Sequence, residues 1–255
     1  MTSPWDDAGG LTRDAFLGGR LRLDQPRRGY RAGIDPVLLA AFVPARAGDS
    51  VLELGCGGGA ALLCLGARVG GLDLTGVEMQ PHYADLARGN ATLNGIAARI
   101  VTADLRALPP DLRQRRFDHV IANPPFFDRR QGTAARDSDR DTALAGDTPL
   151  ADWIAAGSRR LAPRGWMTVI QRADRLRDLL AACDDRLGGL VVWPIQPRVG
   201  RNAQLVLLSA QKGGRAALTL RNPLILHDGL RHESDAESHT ERLRAVLRDG
   251  IALVE

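Results

Sequence analysis

One stretch limits the fold of this chain more than any other: Ser50-Val51-Leu52-Glu53-Leu54, then Gly55-Cys56-Gly57-Gly58-Gly59, then an apolar run from Ala60. A short apolar strand enters a glycine turn and a helix leaves it. Glycine lets the backbone adopt left-handed conformations and approach a ligand closely, and the helix start offers free N–H groups. The rest of the chain keeps the rhythm of short apolar runs and longer helical periods that marks βαβ units and a parallel sheet. Residues 72–78 read as the second strand. Residues 81–93 read as a helix, with Pro81 in its first turn and Leu86 and Leu93 on its buried side. Residues 100–103, 117–122 and 166–170 read as further strands. The expected class is α/β, a doubly wound and mostly parallel sheet.

Residues 15–23 read as a hairpin, with Gly18 and Gly19 between alternating arms, and 36–42 as a helix. These belong to an N-terminal extension, residues 1–48, ahead of a sheet domain spanning 49–255. Strand-like runs at 204–209 and 217–226 and a helix at 241–247 complete the pattern. From 127 to 152 there is no periodicity, and Arg129, Arg130, Arg136 and Arg140 mix with five aspartates. A segment of that length without structure of its own is commonly functional.

The 255 residues, 44% of them apolar, suffice for one large domain. The longest apolar run, 37–43, cannot span a membrane, and the first residues show no secretory signal. Three scattered cysteines, Cys56, Cys64 and Cys183, argue against a disulfide framework or a zinc site and fit a reducing cytoplasm, the expected location. The five histidines have no metal-ligand spacing, so no metal is expected. A net charge of +4 is compatible with nucleic acid without demanding it. Nearly all the cations are arginines, which suit forked phosphate contacts.

Two ligand classes use a glycine turn of this kind. Gly55, Gly57 and Ala60 fit the dinucleotide spacing G-x-G-x-x-G/A, and Glu78 stands near the expected ribose-binding acid, so an NAD oxidoreductase fits this half. The same residues also read Glu53-x-Gly55-x-Gly57-x-Gly59, which resembles the first motif of class I methyltransferases, binders of S-adenosylmethionine. That resemblance implies that the loop packs on the methionine part of the cofactor, Glu78 holds the ribose hydroxyls and Asp104 reaches the adenine amine. Glu53 favours this version, because a carboxylate before the turn repels pyrophosphate but not an ammonium or sulfonium. Cys56 lies in the loop, where small-residue packing is its simplest role.

The fourth strand ends in Asn123-Pro124-Pro125-Phe126. Asn123 precedes a proline and is pushed to an extended conformation, and each proline fixes φ and removes a donor. The turn is stiff and rich in acceptors: the Asn123 side-chain oxygen and the Pro124 carbonyl, with no proline N–H to compete. Two converging acceptors suit one –NH2 group. Holding both hydrogens orients the nitrogen and draws its lone pair out of conjugation. Phe126 can stack on a flat ring, worth roughly 1–3 kcal/mol if the ring is a base. An NAD enzyme has no use for this motif. No strong general base is assigned, since a methylated amine loses its proton readily.

The stretches 25–35 and 38–41, Val51 to Gly57, Gly76 to Gln80, Asn90-Ala91-x-x-Asn94-Gly95, Asn123 to Phe126, Leu224 to His227 and His239-Thr240 together resemble the bacterial tRNA adenine-N6 methyltransferases that modify adenosine 37 of a valine tRNA. The resemblance covers about residues 14–250. It implies a seven-stranded Rossmann-like sheet with an antiparallel last strand, S-adenosylmethionine as cofactor and a tRNA partner. It also implies an N-terminal lid that sets Arg31 and Asp35 over the methionine end. Cofactor contacts would include Glu53, Gly55, Cys56, Gly57, Gly59, Glu78, Met79, Asp104, Leu105 and Asn123. Catalysis would rest on Asn123, Pro124, Pro125 and Phe126. Many relatives carry Tyr in place of Phe126; Phe stacks equally but donates no hydrogen bond. The same motif occurs in enzymes acting on guanine N2 of ribosomal RNA, on DNA adenine or on protein glutamine, so it specifies a planar –NH2 and not its owner. A cofactor-binding module without turnover is the non-enzymatic alternative. Arg129, Arg130, Arg136, Arg140, Arg198 and Arg201 are candidates for RNA phosphates, and the protein is expected to be a monomer or weak homodimer.

Overall fold

The structure is a computed structural model that describes Trp5 and residues 9–126, 148–229 and 238–253. The chain opens with a hairpin, β1 (Leu11–Phe16) and β2 (Leu21–Pro26), joined through a tight turn at Leu17–Gly19. The arms are longer than the sequence suggested and pair from Leu11↔Pro26 to Phe16↔Leu21. Helix α1 (Asp35–Phe42) follows. Then come β3 (Ser50–Leu54), α2 (Ala60–Arg68), β4 (Asp73–Glu78), α3 (Pro81–Leu93), β5 (Ala98–Thr102), α4 (Pro110–Gln114) and β6 (Phe117–Ala122). After residue 147 the chain continues as α5 (Leu150–Arg160), β7 (Leu161–Arg172), α6 (Leu176–Ala182), β8 (Leu187–Gln196) and β9 (Leu205–Lys212). Two short strands, β10 (Thr219–Leu220) and β11 (Leu224–Ile225), and α7 (Glu241–Arg244) complete it.

One sheet runs β10-β8-β9-β7-β6-β3-β4-β5, with β11 also on β8. All its pairings are parallel except those of β9, which is antiparallel to both β7 and β8. Seven strands therefore form the expected core with one antiparallel member, and two two-residue strands extend its edge. The sequence run 217–226 does not form one strand. β8 carries Pro194, which has no N–H to offer, and the edge pairing breaks between Val192 and Ile195. From β3 the chain winds outward through β4 to β5, then returns to place β6 on the other side of β3. Strand order reverses between β3 and β6, and the crevice beyond their carboxyl ends is where such sheets hold ligands.

The alternating side chains of each strand feed two cores. Val51, Ile121 and Ile170 join the layer formed by the hairpin, α1, α2 and α3. Leu52, Val120 and Val169 join the layer of α4, α5 and α6. Both layers are fully buried at their centres, as a doubly wound sheet requires. Among the described residues, no helix is long and apolar enough to cross a membrane. The expected arginine-rich loop, with Arg129, Arg130, Arg136 and Arg140, lies outside the described residues.

Candidate active site

Beyond the carboxyl ends of β3, β4 and β6 lies a cavity of about 230 Å³. It brings together Arg31, Asp35, Glu53, Gly55, Cys56, Gly57, Glu78, Met79, Asp104, Leu105 and Asn123 to Phe126, all but Gly59 of the cofactor and catalytic residues named from sequence. Gly59, with φ at +86°, is the residue from which α2 starts.

The glycine loop is fixed from three directions. Gly55 has φ at +63°, and a Cβ there would lie 2.4 Å from the Trp153 ring of α5, so only glycine fits. Glu78 Oε2 accepts from the Gly57 amide at 2.9 Å, while Oε1 accepts from the Gln80 amide at 2.8 Å. Glu53, buried beneath the turn, accepts from the Leu62 amide at 2.9 Å and so satisfies a free N–H at the start of α2. The Cys56 sulfur packs over β4, where a Cβ on Gly76 would lie 2.8 Å from it, so this cysteine does pack as a small residue.

The electrostatics of the cavity are one-sided. Among the described residues, Asp24, Asp35, Glu53, Glu78 and Asp104 line it, against one cation, Arg31. The Arg31 guanidinium is itself committed to the hairpin, donating to Asp14 at 2.6 Å, to Thr12 at 2.7 Å and to the Pro26 carbonyl at 2.7 Å. Burial pushes the Asp35 and Glu78 carboxyls up, against the amide hydrogen bonds that oppose it at Glu78. Burial also pushes Glu53 well up, with the nearby Glu78 charge adding to it. Asp104, at the rim, is held below its usual range by the Arg106 guanidinium that clasps it at 2.7 Å. This described lining suits a ligand carrying positive charge better than a pyrophosphate, which disfavours the dinucleotide reading. The residues fit S-adenosylmethionine: Gly57, with φ at +53°, brings bare backbone to the cavity beside the Tyr30 ring, and the carboxylates complement an ammonium and a sulfonium.

Asn123 and Pro124 stand where the cavity meets β6. The Pro124 carbonyl accepts from Gln171 Nε2 at 3.2 Å, a buried side chain on β7. So the prolines offer no donor, but β7 does, and one lone pair of this carbonyl is already used. The Asn123 amide nitrogen lies 3.4 Å from the Tyr30 hydroxyl. Burial, then the charges of Glu53 and Asp35, push that phenol up, so it stays protonated. Tyr30, Trp153 and Gln171 were not named from sequence as site residues. Each reaches the site across a long separation; Tyr30 lies in the stretch 25–35 already noted, while Trp153 and Gln171 sit in no local motif.

Of the remaining candidates, the described Arg198 and Arg201 do not line the cavity. Arg198 donates to the Asp228 carbonyl and to the Ser238 hydroxyl, tying β8 to the C-terminal segment, and Arg201 is exposed nearby. Among the described residues, no three of His, Cys, Asp and Glu are grouped to hold a metal.

Comparisons with known proteins agree with this geometry. The model of the methyltransferase small domain family matches residues 33–182. A Dickeya chrysanthemi protein named tRNA1(Val) (adenine(37)-N6)-methyltransferase is 30% identical, over 94% of this chain and 93% of its own. A Porphyromonas gingivalis protein of the same name is 34% identical over 66% of this chain and 69% of its own. Among solved structures, a predicted O-methyltransferase from Agrobacterium tumefaciens superposes with a TM-score of 0.68 at 29% identity, covering 86% of this chain and 97% of that one. A Thermus thermophilus 16S rRNA N2 G1207 methyltransferase, at 21% identity and a TM-score of 0.55, shares the fold over 79% of this chain and 50% of its own. The acid-lined crevice at the strand-order reversal, the Asn-Pro-Pro-Phe turn at its edge and these matches lead to one conclusion: the chain belongs to the methyltransferase small domain family.

Proposed function

We propose that this protein transfers a methyl group from S-adenosylmethionine to the exocyclic N6 amine of an adenine in tRNA, at the position beside the anticodon. The observation that carries the reading is the pair of acceptors at Asn123 and Pro124 on the edge of a cavity lined by five carboxylates. The relatives that match along most of the chain bear the name of this activity.

When bound, the cofactor supplies an already activated methyl group, so the protein's own work is binding and aiming. Glu78 has a lone pair free on each oxygen beyond its two amide bonds, which suits a ribose diol. Asp104 and Leu105 edge the adenine end, and Met79 its face. Asp35 and Glu53 receive the cationic end. The segment 23–36, continuous with the hairpin, acts as the lid of this pocket, with Arg31 anchoring it through Asp14 and not by touching the ligand.

At the reacting end, the Asn123 Oδ1 and the second lone pair of the Pro124 carbonyl accept the two hydrogens of the adenine amine. The target base stacks on Phe126 once out of its own stack. No protein group needs to remove the proton beforehand. Arg201, exposed at the same end of the sheet, meets phosphate. A tRNA substrate places the protein in the cytoplasm.

The test is mass spectrometry of nucleosides from tRNA incubated with protein and cofactor. N6-methyladenosine is expected, and Asn123→Ala should lower kcat by about 100-fold or more while calorimetric cofactor affinity stays within about twofold. Methylated guanine, methylated glutamine in a protein, or cofactor binding without transfer to any acceptor overturns the reading.

A further inference from the structure

Helix α5 links the pocket to a second feature of the surface. Near its start, Trp153 seals the glycine loop, and its last turn carries Arg159 and Arg160. Its 11 residues span about 16 Å. At that far end, Arg160 donates to the Leu112 carbonyl at 3.0 Å, which sets α4 and the exposed Arg113 and Arg116 beside it. Lys212 donates to the Leu161 carbonyl at 2.8 Å, and the neighbouring Gly213 amide bonds the Arg186 carbonyl. Six cations from four parts of the chain thus gather at one end of α5. Among the described residues, Asp184 pairs with Arg186 and its charge also reaches Arg159, while no ion pair holds Arg113 or Arg116. Arg160 and Lys212 are pushed down first by burial and then by the surrounding guanidiniums. Such a gathering repels itself, and a polyanion laid across it relieves the repulsion.

We propose that Arg113, Arg116 and Arg159 form a docking surface for the phosphate backbone of the RNA substrate, reached by a stem that runs along α5 from the loop whose base enters the pocket. The proposal rests on the RNA reading above and deepens it by naming a contact remote from the reacting base. The exposed guanidiniums carry no sequence information; they hold the stem in register while the pocket reads the base. A membrane surface would suit cations equally, but Arg159 shares α5 with Trp153 at the glycine loop, so one helix joins this surface to the pocket, which favours the substrate itself.

The experiment compares wild type with Arg113→Gln/Arg116→Gln/Arg159→Gln and with the charge-keeping Arg113→Lys/Arg116→Lys/Arg159→Lys. Fluorescence anisotropy with an unmodified tRNA transcript over a series of KCl concentrations gives affinity and its salt slope. Calorimetry with S-adenosylmethionine and thermal melting verify that the pocket and fold are intact. The Gln variant is expected to lose about tenfold or more in tRNA affinity near 100 mM salt and to flatten the salt slope by roughly one unit for each phosphate it no longer neutralises. The Lys variant should recover most of both, and KM for tRNA should rise in the Gln variant with kcat nearly unchanged. A Gln variant with wild-type affinity and slope overturns the proposal alone, as does a Lys variant as weak as the Gln one. A wild type that methylates no RNA overturns the parent reading and this one with it.

Discussion

Two side chains touch Asn123 and Pro124, the proposed amine-gripping pair. Gln171 donates to the Pro124 carbonyl and accepts from the Arg172 amide at 2.8 Å, so its own amide is fixed at both ends. Tyr30 meets the nitrogen of Asn123, which turns that side chain's oxygen toward the substrate. On the proposed reading both act as positioning residues, holding the two acceptors in place. Gln171→Met keeps the volume and removes the donor. It should lower kcat by about tenfold, equivalent to about 1.4 kcal/mol, while KM for cofactor holds. Steady-state kinetics beside a melting curve separate this from a folding defect: a fall in Tm with unchanged kcat at low temperature would remove Gln171 from the mechanism.

Helix α3 lines the cavity through Tyr83, Leu86 and Asn90 and also braces it from outside. Its Asn90 donates to the Gly58 carbonyl at 2.9 Å and to the Asp24 carbonyl at 3.1 Å, and accepts from the Asp24 amide at 2.8 Å. One turn on, Asn94 makes the same two-way contact with the backbone of Arg22. Two asparagines four apart thus pair with alternate residues of β2, as a neighbouring strand would, and Asn90 adds the glycine loop to the joint. Asn90→Ala leaves buried backbone groups without partners and should cost about 1–3 kcal/mol by chemical denaturation, with weaker cofactor binding. Stability within about 0.5 kcal/mol of wild type would refute the joint. The bounds of α3 and β6 were legible in sequence because Pro81 opens the one and apolar runs with a proline stop define the other. β8 was not, because Gly188, Gly189 and Pro194 interrupt its apolar pattern, and its pairing with β9, β10 and β11 keeps it extended. Glu53, Glu78 and Asp104 were legible because each stands at or just past a strand end, and Asp35 through the family resemblance; Asp24, within β2, was not read as a site residue. Tyr30, Trp153 and Gln171 were not, because their roles exist only once separate elements meet.

At the scale of the molecule, the two ends of the chain meet over the same core. Leu21 and Leu23 of the hairpin, Leu38 and Leu39 of α1, and Leu243, Val246 and Leu253 near the C-terminus share one buried cluster. The contact is specific in its backbone as well. The Leu253 amide donates to the Ala41 carbonyl at 2.8 Å, and Arg20 donates to the Asp249 carbonyl at 2.6 Å. At Gly18 a Cβ would lie 2.7 Å from the Arg248 carbonyl, so the hairpin turn presses directly on this tail. The segment that runs from the hairpin to α1 lines the cavity. Loosening the tail therefore loosens the lid, although the tail lies outside the pocket. Leu253→Ala removes a side chain only 2% exposed and should cost about 3 kcal/mol, a fall of roughly 6–12 °C in Tm. The coupling predicts more than lost stability. Cofactor affinity at 25 °C, where the variant remains folded, should weaken severalfold as the lid loses its preformed position. A lowered Tm with unaltered cofactor affinity would mean that the tail holds the fold together without setting the lid.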